Sequence, residues 1–252
     1  MHNTHPQSFL DTVLYYDLLD FPLNPEEAIL YGGLDNYNAL YKQVMKYSKY
    51  MSLYRNHLCL IGREKIVDER IAAFDIQKEK WKVFERMQKK LTWLPFIEMM
   101  FASGSFALMH CNEKSDLDVF IICSSGRIAT ARFFITIWTR VLGIKRVGLK
   151  VNDHLCLNHF VTKDSMPIGP QNLYTARLYS RFIPVMGRKS YYSTFVQKNM
   201  WIKEYVVHYP LQKFIPHSFV DTKPSIIENI LSGKFGDFLE KILYRLQRSR
   251  FD

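Results

Sequence analysis

The chain has 252 residues, a formal net charge of +10, 48% hydrophobic and 23% charged residues, a make-up that fits a folded globular protein and excludes a disordered polar chain or a fibre. Cys59, Cys111, Cys123 and Cys156 are scattered, with no Cys-x-x-Cys pair, which argues against a disulfide scaffold or a structural zinc site and for a reducing compartment. Met1 to Gln7 is polar and no apolar run approaches membrane-spanning length, so a soluble cytoplasmic protein with no membrane partner is expected.

Charge divides the chain into modules. Residues 1–40 carry six acids and no Lys or Arg, whereas residues 41–90 carry thirteen bases against six acids. Phe9 to Leu19 has helical apolar spacing, and Asn24-Pro25-Glu26-Glu27 is a helix start in which Asn caps, Pro takes the first turn and acids face the positive end. Gly32-Gly33 ends that second helix. Asn38 to Met51 reads as a third helix with Lys42, Lys46 and Lys49 along one side, followed by a short hairpin turning at Arg55-Asn56. Glu64 to Leu94 is a long polar-rich helix, broken near Ala73, with Trp81, Phe84, Met87 and Leu91 on its packed side.

The segment that carries chemistry comes next. Ile97 to Ala102 is an apolar run of strand length, and Ser103-Gly104-Ser105 then turns the chain so that backbone N–H groups can face a phosphate. Eleven residues beyond Ser105, Asp116-Leu117-Asp118 opens a second apolar strand. Residues two apart on a strand point to one face, so the two carboxylates converge. Two hard oxygen ligands beside a glycine-serine turn are what a Mg²⁺-dependent phosphoryl displacement needs, with Mn²⁺ as the alternative ion. The plain alternative is an ordinary turn glycine and a solvated strand entry.

This order, spacing and strand context resemble the DNA polymerase beta-like nucleotidyltransferase superfamily over residues 95 to about 165. The resemblance implies that Asp116 and Asp118 hold the metal and that Gly104, Ser105 and Ser115 contact a nucleoside triphosphate. It also implies a third carboxylate on a neighbouring strand. The next plausible strand, His154 to Val161, instead carries Asn158, a neutral oxygen that completes a coordination shell but cannot act as a base. Three cases stand open there: Asn158 as a weak catalytic ligand, a displaced acid such as Asp153 or Asp164, or a site that binds nucleotide without turnover. Cys156 and His159 beside it read as packed core residues.

Arg127 to Leu142 is an amphipathic helix ended by Gly143, and Lys145 to Lys150 is a basic loop suited to guiding an anion. Beyond Pro167 the pattern is helical, at Leu173 to Phe182, Tyr191 to His208, Ile226 to Leu231 and Phe235 to Arg250. Tyr174 and Arg177 are candidate base or phosphate contacts by position, with an aromatic core as the alternative role.

The expected fold is α+β: a winged-helix-like module over 1–63, a connecting helix over 64–94, a nucleotidyltransferase core of small mixed sheet and helices over 95–165, and a C-terminal helical region over 166–252. The first of these resembles a winged helix by element order alone. The expected function is transfer of a nucleoside monophosphate from a nucleoside triphosphate to a hydroxyl of an unknown acceptor, with nucleic acid as a further partner. The alternative is a non-catalytic nucleotide-sensing or nucleic-acid-binding regulator on the same core.

Overall fold

The computed structural model describes residues 8–148, 152–211 and 218–248. Helix α1 (Phe9–Asp17) begins at a capping box between Ser8 and Asp11, and α2 (Pro25–Gly32) at a second between Asn24 and Glu27. Each box satisfies two backbone donors that the helix itself leaves open. Helix α2 stops at Gly33, whose left-handed φ of 66° suits glycine. Helix α3 (Tyr37–Lys46) leads into the hairpin of β1 (Met51–Tyr54) and β2 (His57–Leu60). The hairpin turns through Arg55 and Asn56, both at positive φ, as a two-residue turn matched to strand twist requires. Phe9, Val13, Tyr16, Phe21, Leu40, Met51 and Leu58 share one core, which makes this a helical unit with a β-hairpin.

Helices α4 (Glu64–Ala72) and α5 (Phe74–Lys89) replace the single long helix, with the break at Ala73 as the sequence predicts. A five-stranded mixed sheet follows, built from β3 (Ile97–Ala102), β4 (Leu117–Cys123), β5 (Leu155–Thr162), β6 (Ile183–Gly187) and β7 (Val220–Asp221) in the order β5-β4-β3-β6-β7. Strand β3 is antiparallel to both β4 and β6, while β4–β5 and β6–β7 are parallel. The remaining helices are α6 (Gly104–Ala107), α7 (Ile128–Val141), α8 (Leu173–Ser180), α9 (Lys189–Lys198), α10 (Ile226–Ile230) and α11 (Lys234–Arg248). The protein is therefore α+β with a mixed sheet covered on both faces.

Alternation along β4 explains the two layers. Leu117, Val119, Ile121 and Cys123 face one core with Phe84, Leu91 and Ile135, while Phe120 and Ile122 face a second with Phe101, Tyr179, Phe182 and Phe195. The second core is aromatic: Phe101 and Phe195 stand 4.8 Å apart between ring centroids, and Phe120 and Phe182 4.9 Å.

Residues 166–252 depart from the all-helical expectation, because β6 and β7 complete the sheet and β6 lies directly beside central β3. Pro184 and Gly187 resemble helix punctuation in the sequence. In the fold, Pro184 pairs with Phe101 at a register shift, where its missing N–H costs the ladder little. A Cβ on Gly187 would stand 2.4 Å from the Glu98 carbonyl, so only glycine lets β6 approach β3 there. The predicted helix over Tyr191 to His208 ends early at Lys198, before buried Asn199. The Asn199 amide donates to the carbonyls of Met166 and Phe195 and accepts from Ile168 N–H, tying the 166–168 segment to the end of α9.

Candidate functional site

Asp116 and Asp118 lie at the entry of β4, in the same strand-face row as Phe120 and Ile122. The Gly104 turn is brought against them by pairing of β3 with β4: Ala102 faces Val119, and Ser103 N–H donates to the Asp118 carbonyl at 3.0 Å. Gly104 has φ 59°, and a Cβ there would stand 2.6 Å from Asp118 Oδ2. The absence of a side chain at Gly104 is thus what lets the turn touch the carboxylate.

Parallel pairing of β4 with β5 sets Cys156 opposite Asp118. One ligand atom each from Asp116, Asp118 and Cys156 lie within 4.8 Å of one another, and Cys156 is buried while both acids are partly exposed. The Cys156 thiol donates to Asp118, and burial, followed by that hydrogen bond and the nearby carboxylate charges, pushes its pKa up to about 12. Burial likewise pushes Asp118 above its ordinary value, reinforced by Asp116 and opposed by the thiol and by Arg146. Arg146 donates to Asp116 Oδ2 at 2.6 Å. Its position comes from the loop before β5: Arg146 N–H donates to the Leu155 carbonyl and Leu155 N–H to that of Ile144, so the basic loop runs along the strand start.

A buried lysine holds the lead-in to the carboxylates. Lys80 of α5, its side chain 3% exposed, donates to the Ser115 carbonyl at 2.8 Å, the Glu113 carbonyl at 3.3 Å and Asp153 Oδ1 at 2.7 Å. The Ser115 hydroxyl is engaged inside the same loop, accepting from Asn112 N–H and donating to Asn112 Oδ1. The Ser105 hydroxyl lies 3.8 Å from Cys111 Sγ.

Gly104, Asp116 and Asp118 converge, with Ser105 in the same turn and Ser115 adjoining through the loop. The backbone of Asn158 belongs to β5, and its side chain lies outside the described residues. Two strand residues, Leu157 and Asn158, stand opposite Val119 alone, because the register shifts between Asp118 and Phe120. Cys156 is level with Asp118 before this bulge, and beyond it His159, rather than Asn158, is level with Phe120. Asp153 is held by Lys80, and Asp164 sits beyond the far end of β5 in a 3-10 turn over Lys163–Ser165. Strand rise of about 3.3 Å per residue separates Asp164 from Cys156 by the length of the sheet.

Of two further candidate contacts, Arg177 is committed elsewhere. Arg177 is 3% exposed, donates to Thr12 Oγ1 and lies 4.2 Å from the Tyr15 ring centroid, so it fastens α8 to α1. Tyr174 is exposed on α8. From the sequence Cys156 reads as a packed core residue, not a site residue, and Lys80 is given no role. The signal for Lys80 was its place in the Gln77, Lys80, Phe84, Gln88 stripe, which is the buried face of α5.

The donor set fits a divalent cation: two carboxylates supply hard oxygen, and the thiol adds a softer donor that Mn²⁺ or Zn²⁺ accepts more readily than Mg²⁺. No protein-family model matches this sequence, and no curated protein or solved structure is significantly similar to it.

Proposed function

We propose that the protein is a metal-dependent nucleotidyltransferase, with the resemblance to the DNA polymerase beta-like superfamily extending from motif to site. The observation that carries the reading is the contact of the Gly104 turn with the Asp118 carboxylate beside Asp116. A phosphate-facing turn and a pair of carboxylates on one rigid strand are the two parts phosphoryl transfer requires.

In this reading Asp116 and Asp118 hold Mg²⁺ or Mn²⁺, which when bound offsets triphosphate charge and favours ionisation of the attacking hydroxyl. The first-turn amides of Gly104 and Ser105, which intrahelical carbonyls cannot reach, contact phosphate oxygens. The acceptor hydroxyl gives up its proton to solvent as its oxygen bonds to the α-phosphorus, the bond from that phosphorus to the α–β bridging oxygen breaks, and pyrophosphate leaves. Arg146 holds Asp116 before substrate arrives and is placed to turn to a triphosphate oxygen afterwards. The first unit, with three helices followed by a hairpin, has winged-helix element order and serves as an accessory module.

The test is pyrophosphate release from each ribonucleoside triphosphate with Mg²⁺ or Mn²⁺ and a panel of hydroxyl acceptors. Asp116→Asn and Asp118→Asn are each expected to reduce transfer by about three orders of magnitude, because one ligand charge stabilises the transition state by several kcal/mol. Unaltered turnover in either folded variant would sink the proposal. Metal-dependent nucleotide binding without release under every condition would favour the sensing regulator, a reading to which the thiol in the third position lends weight.

A further inference from the structure

The exposed face of α3 carries a pattern of which its own fold uses only part: Tyr37 bonds to Glu26, and Lys46 lies 5.0 Å from the Tyr47 ring centroid. From Asn36 to Arg63 the chain has no acid, five bases and five tyrosines. Two of the bases are committed within the unit: Arg55 pairs with Asp68, and Arg63 with Asp17 and Asp20. Lys42, Lys46 and Lys49 are exposed, and among the described residues none has an ion-pair partner.

Next to the Lys42 and Lys46 row runs a second row. Tyr37, Tyr41 and Met45, at four-residue spacing, are 57%, 66% and 56% exposed, whereas Leu40, about 100° around the helix from Tyr41, is in the core. An ordinary surface helix turns its large apolar side chains inward; contiguous outward rows mark an interaction site. The Tyr37 hydroxyl donates to Glu26 Oε1 at 2.5 Å, which fixes the orientation of that ring. Along the helix, successive members of the row are about 6 Å apart.

We propose that this face binds a single-stranded nucleic-acid segment, with bases stacked on Tyr37 and Tyr41 and phosphates met by Lys42, Lys46 and Lys49. Charge selects a polyanion, since the Lys42, Lys46 and Lys49 strip, with Asp35 and Glu26 confined to the N-terminal end of α3, repels basic partners and gains nothing from apolar ones. The aromatic row selects a single strand over a duplex. Reading a major groove takes side chains that hydrogen-bond to base edges, such as Arg, Asn or Gln; on α3 the exposed Asn38 is of that kind, but the continuous outward row is Tyr37, Tyr41 and Met45. Unpaired bases, by contrast, expose π faces that tyrosine accepts whatever the sequence. The inference does not depend on the transferase reading.

Fluorescence anisotropy of the full chain with labelled 12-nucleotide RNA and DNA strands of mixed sequence, and with the annealed duplexes, tests it. Nucleotide and divalent metal are omitted, so a failure here and a failure of the transferase assay remain distinguishable. Either strand is expected to bind more tightly than its duplex, and the RNA and DNA arms identify which backbone is preferred. The triple variant Lys42→Ala, Lys46→Ala, Lys49→Ala should lower the slope of log affinity against log salt by about 2, from a coefficient of about 0.7 per phosphate contact on a single strand. Tyr41→Ala should weaken binding roughly tenfold with the slope unchanged. Circular dichroism establishes that these surface variants keep the fold. Absence of strand binding at 50 mM salt, equal or tighter binding of duplex, or indifference to both variants would overturn the proposal. Sedimentation adds one more way to lose: if Tyr41→Ala dissolves a dimer and leaves strand affinity alone, the face joins two copies of this chain.

Discussion

Replacing Gly104 by alanine tests the convergence on which the site rests, and its cost separates into two parts. The first is backbone: at φ 59° a non-glycine residue sits in the left-handed region, at a cost of roughly 1–2 kcal/mol. The second is contact, since the new Cβ would stand 2.6 Å from Asp118 Oδ2 and 3.3 Å from its Cγ. A carboxylate held by a strand gives way only by rotating or by moving the turn, and such overpacking costs roughly 1–3 kcal/mol. Gly143 supplies the control. It has φ 66°, and a Cβ added there would meet nothing within 4 Å, so Gly143→Ala reports the backbone part alone. Urea denaturation should therefore show a loss of about 1–2 kcal/mol at Gly143 and about 2–5 kcal/mol at Gly104. In an Asp118→Ala background the Gly104→Ala cost should fall back toward the Gly143 value, which gives a coupling of about 1–3 kcal/mol. Equal costs in the two backgrounds would refute the contact, and with it the claim that turn and carboxylate form one site.

Cys156→Asp would place a third carboxylate beside Asp116 and Asp118; the melting temperature without divalent ions should fall and its rise with added Mg²⁺ should exceed that of the unaltered chain, and identical Mg²⁺ responses would exclude Cys156 from the metal position. Asp118 has its pKa raised mainly by burial, so the folded state binds its proton more tightly than the unfolded one, and ionisation lowers stability. That penalty is absent below the ordinary carboxylate range and complete above the raised value. Without metal, Asp118→Asn should accordingly stabilise the protein at neutral pH and lose that advantage in acid, and a constant difference across a pH series of melts would contradict the assignment. Lys80→Met would leave the Ser115 and Glu113 carbonyls without their charged donor. The ion pair with half-exposed Asp153 adds little after solvent screening, so a loss of about 2 kcal/mol is expected by denaturation, and one under about 0.5 kcal/mol would deny Lys80 its role in holding the loop.

Local signals made much of this fold legible. The capping residues Asn24 and Glu27, the turn at Arg55-Asn56 and the break at Ala73 act within a few residues of themselves, and each stands where its chemistry points. Strand β3 runs over the predicted Ile97–Ala102, since an apolar run between Pro95 and a glycine turn has few alternatives. Strand β6 was hidden because its identity as a strand comes from β3, its neighbour in the sheet and more than eighty residues away in the chain. Long-range pairing leaves no periodic trace in five residues that include Pro184 and Gly187. Arg177 shows the same limit in a single side chain: its sequence neighbours give no hint of Thr12 and Tyr15, the partners that bury it.

The site itself was half legible, for a reason that lies in strand register. Period-two alternation from Cys156 would send Asn158 to the same face, and a carboxylate-bearing neighbour would then be sought at either position. The bulge breaks this count. Cys156 pairs with Asp118 and His159 with Phe120, so residues three apart share a face. His159 thereby stands at the exposed edge of the aromatic layer, 4.7 Å from the Phe120 ring, and partial desolvation lowers its pKa. Cys156 meanwhile stands where the strand reaches the two acids, as a protonated thiol that adds no charge to them. Of the two carboxylates it borders, Asp116 accepts directly from Arg146, while Asp118 feels that cation only at longer range and has its neighbouring thiol and the bare backbone of Gly104 against it. A carboxylate kept partly desolvated with so little positive charge beside it is unfavourable in the folded chain and is relieved by a divalent ion. The same feature that makes Asp118 a cost to folding is therefore what would make it a ligand.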